Sequence, residues 1–73
     1  MPNLTVFQAT MLAEGAYDKS GIDPGEIDTD LMQQAWQLLV DTEVVWSLQG
    51  TFGRTARHLI KAGVIQPNRH AIH

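Results

Sequence analysis

The sequence predicts a mainly α-helical protein, a small single domain of three helices with a short fourth element. Apolar residues recur at helical spacing in three separate segments, and residues that cap or end helices flank these segments. A chain of 73 residues can build one core at most. It contains no cysteine, so it has neither disulfides nor thiolate metal sites. We expect residues 1–66 to form the domain and residues 67–73 to form a flexible tail.

The first helix is expected over about residues 5–14. Thr5 and Gln8 fit a capping box, in which the hydroxyl accepts a hydrogen bond from the amide three residues later and the glutamine reaches back. Gly15 is suited to end the helix in a left-handed conformation. The apolar residues between these ends include Phe7, Met11 and Leu12.

Residues 15–29 are rich in glycine, aspartate and proline, a composition typical of a loop. The segment contains at least one turn, at Asp23-Pro24-Gly25. A calcium loop needs carboxylates at alternate positions, a central glycine and a distal glutamate. Asp28 and Asp30 alone do not supply that pattern, so the acids are interpreted as turn formers and helix-start residues.

The second helix should begin at a cap provided by Asp28 or Asp30 and run to about Val40. Acids suit the positive end of a helix dipole. Asp41-Thr42 follows and offers a stop or a new cap. The apolar residues of this helix repeat at helical spacing, with Trp36 and Val40 on an adjoining stripe beside Leu31, Ala35, Leu38 and Leu39.

Residues 43–49, EVVWSLQ, fit two structures. Valine and tryptophan favour a strand with alternating faces, whereas Val44, Val45 and Leu48 could also form the apolar side of a short helix. A strand would need residues 63–66 as its partner, and a two-stranded ribbon is marginal unless it packs on helices. We therefore expect a short helix, with a strand at 43–49 as the alternative.

The third helix should begin near Thr51 and stop at Gly63. Gly53 in its first turn lowers the stability of the helix by about 1 kcal/mol relative to alanine, which predicts that a neighbouring backbone passes close to it. The apolar residues that give this helix an inner face are Phe52, Ala56, Leu59 and Ile60.

Charge is divided unevenly along the chain. Residues 1–43 contain all eight acids and one lysine, a net charge of −7, whereas residues 44–73 contain four cations and no acid, a net charge of +4. The two halves could attract each other and help a small core to close, or each half could present its own field to a partner.

Four residues of the third helix form a candidate binding face. They stand at i, i+3, i+4 and i+7 and therefore share one side of the helix, opposite Leu59 and Ile60. Three interpretations remain open: a solvated face that partly pairs with the chain's own acids, contact with an acidic protein surface, or contact with nucleic acid. We name this set the cationic face; it comprises Arg54, Arg57, His58 and Lys61.

The two tryptophans, Trp36 and Trp46, need separate interpretation. Both are candidates for the core, but Trp46 lies in the ambiguous segment beside the third helix and is the better candidate for a partly exposed anchor. Tryptophan and arginine dominate interface hot spots. Trp46 therefore joins the cationic face as a predicted partner-binding residue.

Residues that would support catalysis are not found in a recognisable context. Ser20 and Ser47 have no adjacent base, and residues 50–53 lack the lysine of a phosphate-binding loop. His70 and His73 could bind a metal, but only weakly and on the tail. A pocket of several hundred cubic ångströms is not expected in so small a core. We expect a non-enzyme with no cofactor, metal or small-molecule substrate.

Residues 38–65 of the chain resemble a family of very small bacteriophage proteins. The shared pattern is an Asp-Thr pair, then Trp-x-Leu-Gln-Gly-x-aromatic-Gly-Arg-x-Ala, then Leu-Ile-x-x-Gly; the resemblance covers most of residues 4–65. The chain has Glu43 where the family often has glycine, which argues against a glycine-terminated second helix, and it has Ile65 near a common cysteine. The matching positions are Asp41, Thr42, Trp46, Leu48, Gln49, Gly50, Phe52, Gly53, Arg54, Ala56, Leu59, Ile60 and Gly63.

This resemblance implies a phage origin. In length and character the chain is also similar to small phage transcription regulators that bind host RNA polymerase, of which a Xanthomonas phage encodes one. We therefore expect a protein that binds a host protein, with a subunit of bacterial RNA polymerase as the leading candidate, and that inhibits or modulates transcription. An indirect effect on promoter DNA or on the initiation factor is compatible with its acidic half. The alternatives are a helix-turn-helix-like DNA-binding repressor and a phage structural or assembly protein.

The expected location is the cytoplasm of the bacterial host. No apolar run approaches the roughly 20 residues of a membrane helix, so no contact with a membrane is expected. The N-terminus has neither a basic region nor a secretory cleavage pattern.

Overall fold

The computed structural model describes residues 4–48 and 50–67. Within these residues the chain forms three α-helices, α1 (Val6–Glu14), α2 (Thr29–Asp41) and α3 (Gly50–Lys61), and no strand. The predicted fold class is therefore confirmed. Of the predicted tail, residues 68–73, which include the two candidate histidines, lie outside the described residues.

Helix α1 begins at the predicted capping box. The Thr5 hydroxyl accepts from the Gln8 amide at 3.0 Å, and Gln8 Oε1 accepts from the Thr5 amide at 3.1 Å. Gly15 ends the helix with a φ of 80°, the left-handed conformation that glycine adopts without strain. Local sequence signals alone thus fix both ends of α1.

The loop between α1 and α2 contains two short 3₁₀ turns, Tyr17–Ser20 and Pro24–Glu26. Asp23 Oδ1 accepts from the Gly25 amide at 3.1 Å and holds the second turn. Of the two candidate caps for α2, Asp28 is the one used, because its Oδ1 accepts from the Leu31 amide at 2.8 Å. Asp23 and Asp28 therefore act as a turn former and a helix cap, the roles that the sequence predicts for the acids of this loop.

The segment after α2 is helical, as predicted, and the strand alternative is wrong. Val44–Ser47 form a 3₁₀ turn, here called the Trp46 turn. Glu43 precedes it with a φ of 63°, so it adopts the left-handed conformation at the position where glycine would fit more easily. Helix α2 thus ends in the geometry of a glycine stop without a glycine.

One core joins the three helices and the Trp46 turn. Phe52 of α3 lies against the same core, with its ring centroid 6.1 Å from that of Trp36. Trp36 is 9% exposed and is a core residue, the role for which both tryptophans are candidates. The buried apolar residues are Ala9, Leu12, Ala35, Trp36, Leu39, Val40, Val45, Ala56 and Ile65.

The segment that follows α3 is tied back to α2. Gln66 donates its amide to Gln37 Oε1 at 2.8 Å, and Gln37 Nε2 donates to the Gln66 carbonyl at 2.9 Å. Gln33 Nε2 donates to the Val64 carbonyl at 2.9 Å. Ile65 is only 4% exposed, so this short segment completes the core and holds the end of α3 in place.

The prediction made for Gly53 is wrong. Among the described residues, and apart from the backbone of α3 itself, only the Trp46 ring lies within 4 Å of the position that a Cβ would take. Its nearest atom, Cε3, is 3.6 Å away, which is an ordinary van der Waals distance. No neighbouring backbone requires a glycine here.

A candidate protein-binding face on α3

Helix α3 separates apolar and cationic residues as the sequence predicts. Ala56 is fully buried, and Phe52, Leu59 and Ile60 pack against the core. All four residues of the cationic face are exposed. The helix therefore presents a row of positive side chains to solvent along about two turns.

Arg57 and Trp46 form the centre of this face. The guanidinium carbon of Arg57 lies 5.5 Å from the centroid of the Trp46 ring, within the range of a cation–π interaction. Trp46 is 41% exposed, so one part of the indole contacts α3 and another part faces solvent. Gly53 lies beside the same ring, because positions 53 and 57 are one helical turn apart.

Within residues 4–48 and 50–67, no carboxylate pairs with the cations of this face. In this part of the chain Arg57 contacts Trp46, and neither Arg54 nor Lys61 forms an ion pair. The one buried carboxylate in this part of the chain, Asp41, is 8% exposed and accepts from Gln37 Nε2 at 3.0 Å. Internal pairing, one of the three interpretations, therefore gains no support from the described residues.

The sequence did not reveal a groove on the acidic part of the molecule. It has a volume of about 390 Å³ and lies between the start of α1, the loop after it and the start of α2. Leu4, Ile22 and Leu31 contribute apolar surface, and four exposed acids surround it. A groove of this size was not expected, because it forms at the surface where three segments meet and not within the core.

The described part of the chain contains neither a metal-binding cluster nor a membrane-spanning helix. No group of three or more histidine, cysteine, aspartate or glutamate residues there could hold a metal ion. None of the helices there has both the length and the apolar character needed to span a membrane.

Comparison with known proteins assigns a family without a function. Residues 10–73 match the family model described as a domain of unknown function, DUF7417. Neither the curated proteins nor the solved structures gave a match. The match includes α2, the Trp46 turn and α3, and so it includes the whole candidate face.

Proposed function

This chain belongs to the DUF7417 family of domains of unknown function, and we propose that it is a small regulatory protein that binds a partner protein through the cationic face of α3. The partner surface is acidic and has an apolar recess for the exposed part of Trp46. The observation that carries the proposal is the pair of Arg57 and half-exposed Trp46 at the centre of a face that has no carboxylate partner among the described residues.

The energetics of protein interfaces support this proposal. Tryptophan and arginine are the residue types most enriched among the few that supply most of the binding free energy. The Trp46 turn holds the indole against α3, so little side-chain entropy is lost when a partner covers it. Arg54 and Lys61 flank this anchor on the same helix and would steer an acidic surface toward it.

Duplex DNA fits the charge and geometry less well. The whole chain carries a net charge of −3, whereas proteins that bind DNA usually carry a basic surplus, since phosphate contacts dominate their affinity. Residues 42–49 separate α2 from α3, a longer connection than the three or four residues that usually join the helices of a helix-turn-helix. An acidic protein surface is therefore the better ligand.

We further propose that the chain is encoded by a bacteriophage and that its partner is bacterial RNA polymerase, in the cytoplasm of the host. The support is the resemblance of the segment from Asp41 to Gly63 to very small phage proteins, and the similarity in length and character to phage regulators of transcription. Binding would inhibit or modulate transcription without any catalytic step.

The test is binding of the purified chain to purified bacterial RNA polymerase. Arg57→Glu should weaken binding by at least about 30-fold, because removal of a central anchor typically costs 2 kcal/mol or more. Arg57→Lys keeps the charge but lacks the planar guanidinium, so it should give an intermediate affinity. Lys19→Glu is the matched control, since Lys19 is exposed, lies in the loop after α1 and undergoes the same change of charge.

Two outcomes would contradict the proposal. If Arg57→Glu binds as the unmodified chain does, with its helical circular dichroism unchanged, the assigned face is wrong. If the polymerase does not bind but arbitrary duplex DNA does, with an affinity that falls steeply with the logarithm of salt concentration, the chain is a DNA-binding protein instead.

A further inference from the structure

The groove at the acidic end of the molecule and the cationic face on α3 complement each other. We propose that the groove of one copy receives the cationic face of a second copy, so that the chain associates head to tail. Trp46 of one copy would lie on the apolar floor of the groove, and the cations beside it would meet the acidic rim. This inference does not depend on the proposed binding of RNA polymerase.

The groove has the composition that such an occupant requires. Its floor includes Leu4, Ile22 and Leu31, which the core buries only partly. Asp23, Glu26, Asp28 and Asp30 line the rim, and all four are exposed. A cavity of about 390 Å³ with an apolar floor and an acidic rim suits an aromatic side chain flanked by cations.

Two of the four rim acids are free to make new contacts. Asp23 and Asp28 already accept backbone hydrogen bonds in a turn and a helix cap. Glu26 and Asp30 have no side-chain hydrogen bond or ion pair within residues 4–48 and 50–67. Their carboxylates are therefore available to a second copy, and they can be changed without removing a cap.

The division of charge along the chain favours a second copy as the occupant of the groove. The half that contains the groove has a net charge of −7, and the half that contains α3 has +4. In each copy this groove and the cationic face lie on different elements. A contact between them is heterologous and leaves a free groove and a free face, so association continues beyond a dimer unless the ring closes.

The experiment measures mass against concentration by sedimentation equilibrium, up to millimolar protein at low ionic strength. The unmodified chain should give a mass that rises above that of a dimer. Raising the salt from about 0.01 M to about 1 M, which shortens the Debye length from about 30 Å to about 3 Å, should shift it toward the monomer. A chain that stays monomeric at low salt and millimolar concentration would overturn the inference.

Variants of the two surfaces provide the decisive comparison. A groove variant, Glu26→Lys with Asp30→Asn, and a face variant, Arg54→Glu with Arg57→Glu, should each associate at least about tenfold more weakly, since close charge pairs at interfaces contribute about that much or more. A control, Asp18→Lys, makes the same charge reversal as Glu26→Lys at an exposed residue that does not line the groove, and it should associate as the unmodified chain does.

Mixing the two variants tests the pairing itself. The groove variant keeps its cationic face and the face variant keeps its groove, so together they should form a one-to-one dimer that cannot grow. Absence of this dimer, or an equal loss in the control, would overturn the inference. Chemical shifts of the unmodified chain on dilution give a check without variants: they should change at Ile22, Leu31 and the Trp46 indole, and changes centred on exposed Phe7 would contradict the proposal.

The two proposals fail separately. Loss of polymerase binding with head-to-tail association intact would refute only the proposed function. Polymerase binding by a chain that never self-associates would refute only this inference. If both hold, the polymerase and the second copy compete for the same face, and polymerase binding should weaken as the protein concentration rises.

Discussion

Glu43 is the one described residue other than glycine with a positive φ, at 63°. The left-handed conformation crowds the Cβ of an L-residue against its own backbone and costs roughly 1–2 kcal/mol. The stop is still made, because the Glu43 amide donates to the Val40 carbonyl at 3.0 Å and the Thr42 amide to the Leu38 carbonyl at 2.9 Å. The chain therefore tolerates strain at the residue that leads into the Trp46 turn.

Replacing Glu43 should release this strain only if the new residue is glycine. We expect Glu43→Gly to raise the free energy of unfolding by about 1 kcal/mol, measured by urea denaturation. Glu43→Ala removes the same charge but keeps a Cβ, so it should stay within about 0.5 kcal/mol of the unmodified chain. Equal effects of the two substitutions would show that the carboxylate, and not the backbone conformation, determines the result.

At the level of secondary structure, α3 forms although its first turn contains a residue that disfavours helix. Gly53 weakens its first turn, yet neither a close backbone nor a positive φ requires glycine there. A Cβ added at Gly53 would lie 3.6 Å from the nearest atom of the Trp46 ring, so a methyl group there would make an ordinary van der Waals contact with the indole. Gly63 differs from Gly53, because it follows the end of the helix and has a φ of 79°.

The two glycines of this region should respond to alanine with opposite signs. Gly53→Ala should raise the free energy of unfolding by about 0.5–1 kcal/mol, through higher helix propensity and a less flexible unfolded chain. Gly63→Ala should lower it by about 1–2 kcal/mol, because alanine is strained at a positive φ. Thermal unfolding followed by circular dichroism would measure both, and destabilisation by Gly53→Ala would mean that the Trp46 ring cannot accommodate the methyl group.

The sequence predicts a structural feature well when the contacts that stabilise this feature join residues close together in the chain. The ends of α1 and α2 follow from hydrogen bonds between residues three positions apart, such as Thr5 with Gln8 and Asp28 with Leu31, and such pairs can be read from the sequence. The cationic face follows from helical spacing alone. The reason proposed for Gly53 was wrong because spacing does not reveal which neighbour approaches a position.

Contacts between distant residues explain what the sequence did not predict. Gln37 and Gln66 pair across 29 positions, and residues 63–66 carry no signal for a segment that packs against α2. The groove likewise needs three segments to meet, so its apolar floor could not be foreseen from the acids of the loop. The sequence indicated only that Trp46 was a better candidate for exposure than Trp36. Residue propensities do not determine which of the two tryptophans is buried in the core.

At the scale of the whole molecule, Ile65 closes a core that would otherwise be open at the end of α3. The chain has 73 residues, for which the usual range of about 0.05–0.15 kcal/mol per residue implies a stability of about 4–11 kcal/mol. Ile65 is 4% exposed, while Val64 beside it is 40% exposed. Truncation of a buried isoleucine typically costs about 2–5 kcal/mol, which is a large share of such a total.

Shortening this side chain should therefore loosen the whole protein and not only its end. We expect Ile65→Ala to lower the free energy of unfolding by about 2–5 kcal/mol and Ile65→Val by about 0.5–1.5 kcal/mol, because both leave a cavity that a small core cannot refill. Val64→Ala removes methyl groups from the next residue, which is exposed, and should change stability by no more than about 0.5 kcal/mol. Urea denaturation measured by tryptophan fluorescence and by circular dichroism should give coincident transitions for every variant, since a domain of this size unfolds as one unit. If Ile65→Ala instead released α3 alone, the fluorescence of Trp46 would change before the helical signal of α1 and α2, and the cationic face would be a separately unfolding element.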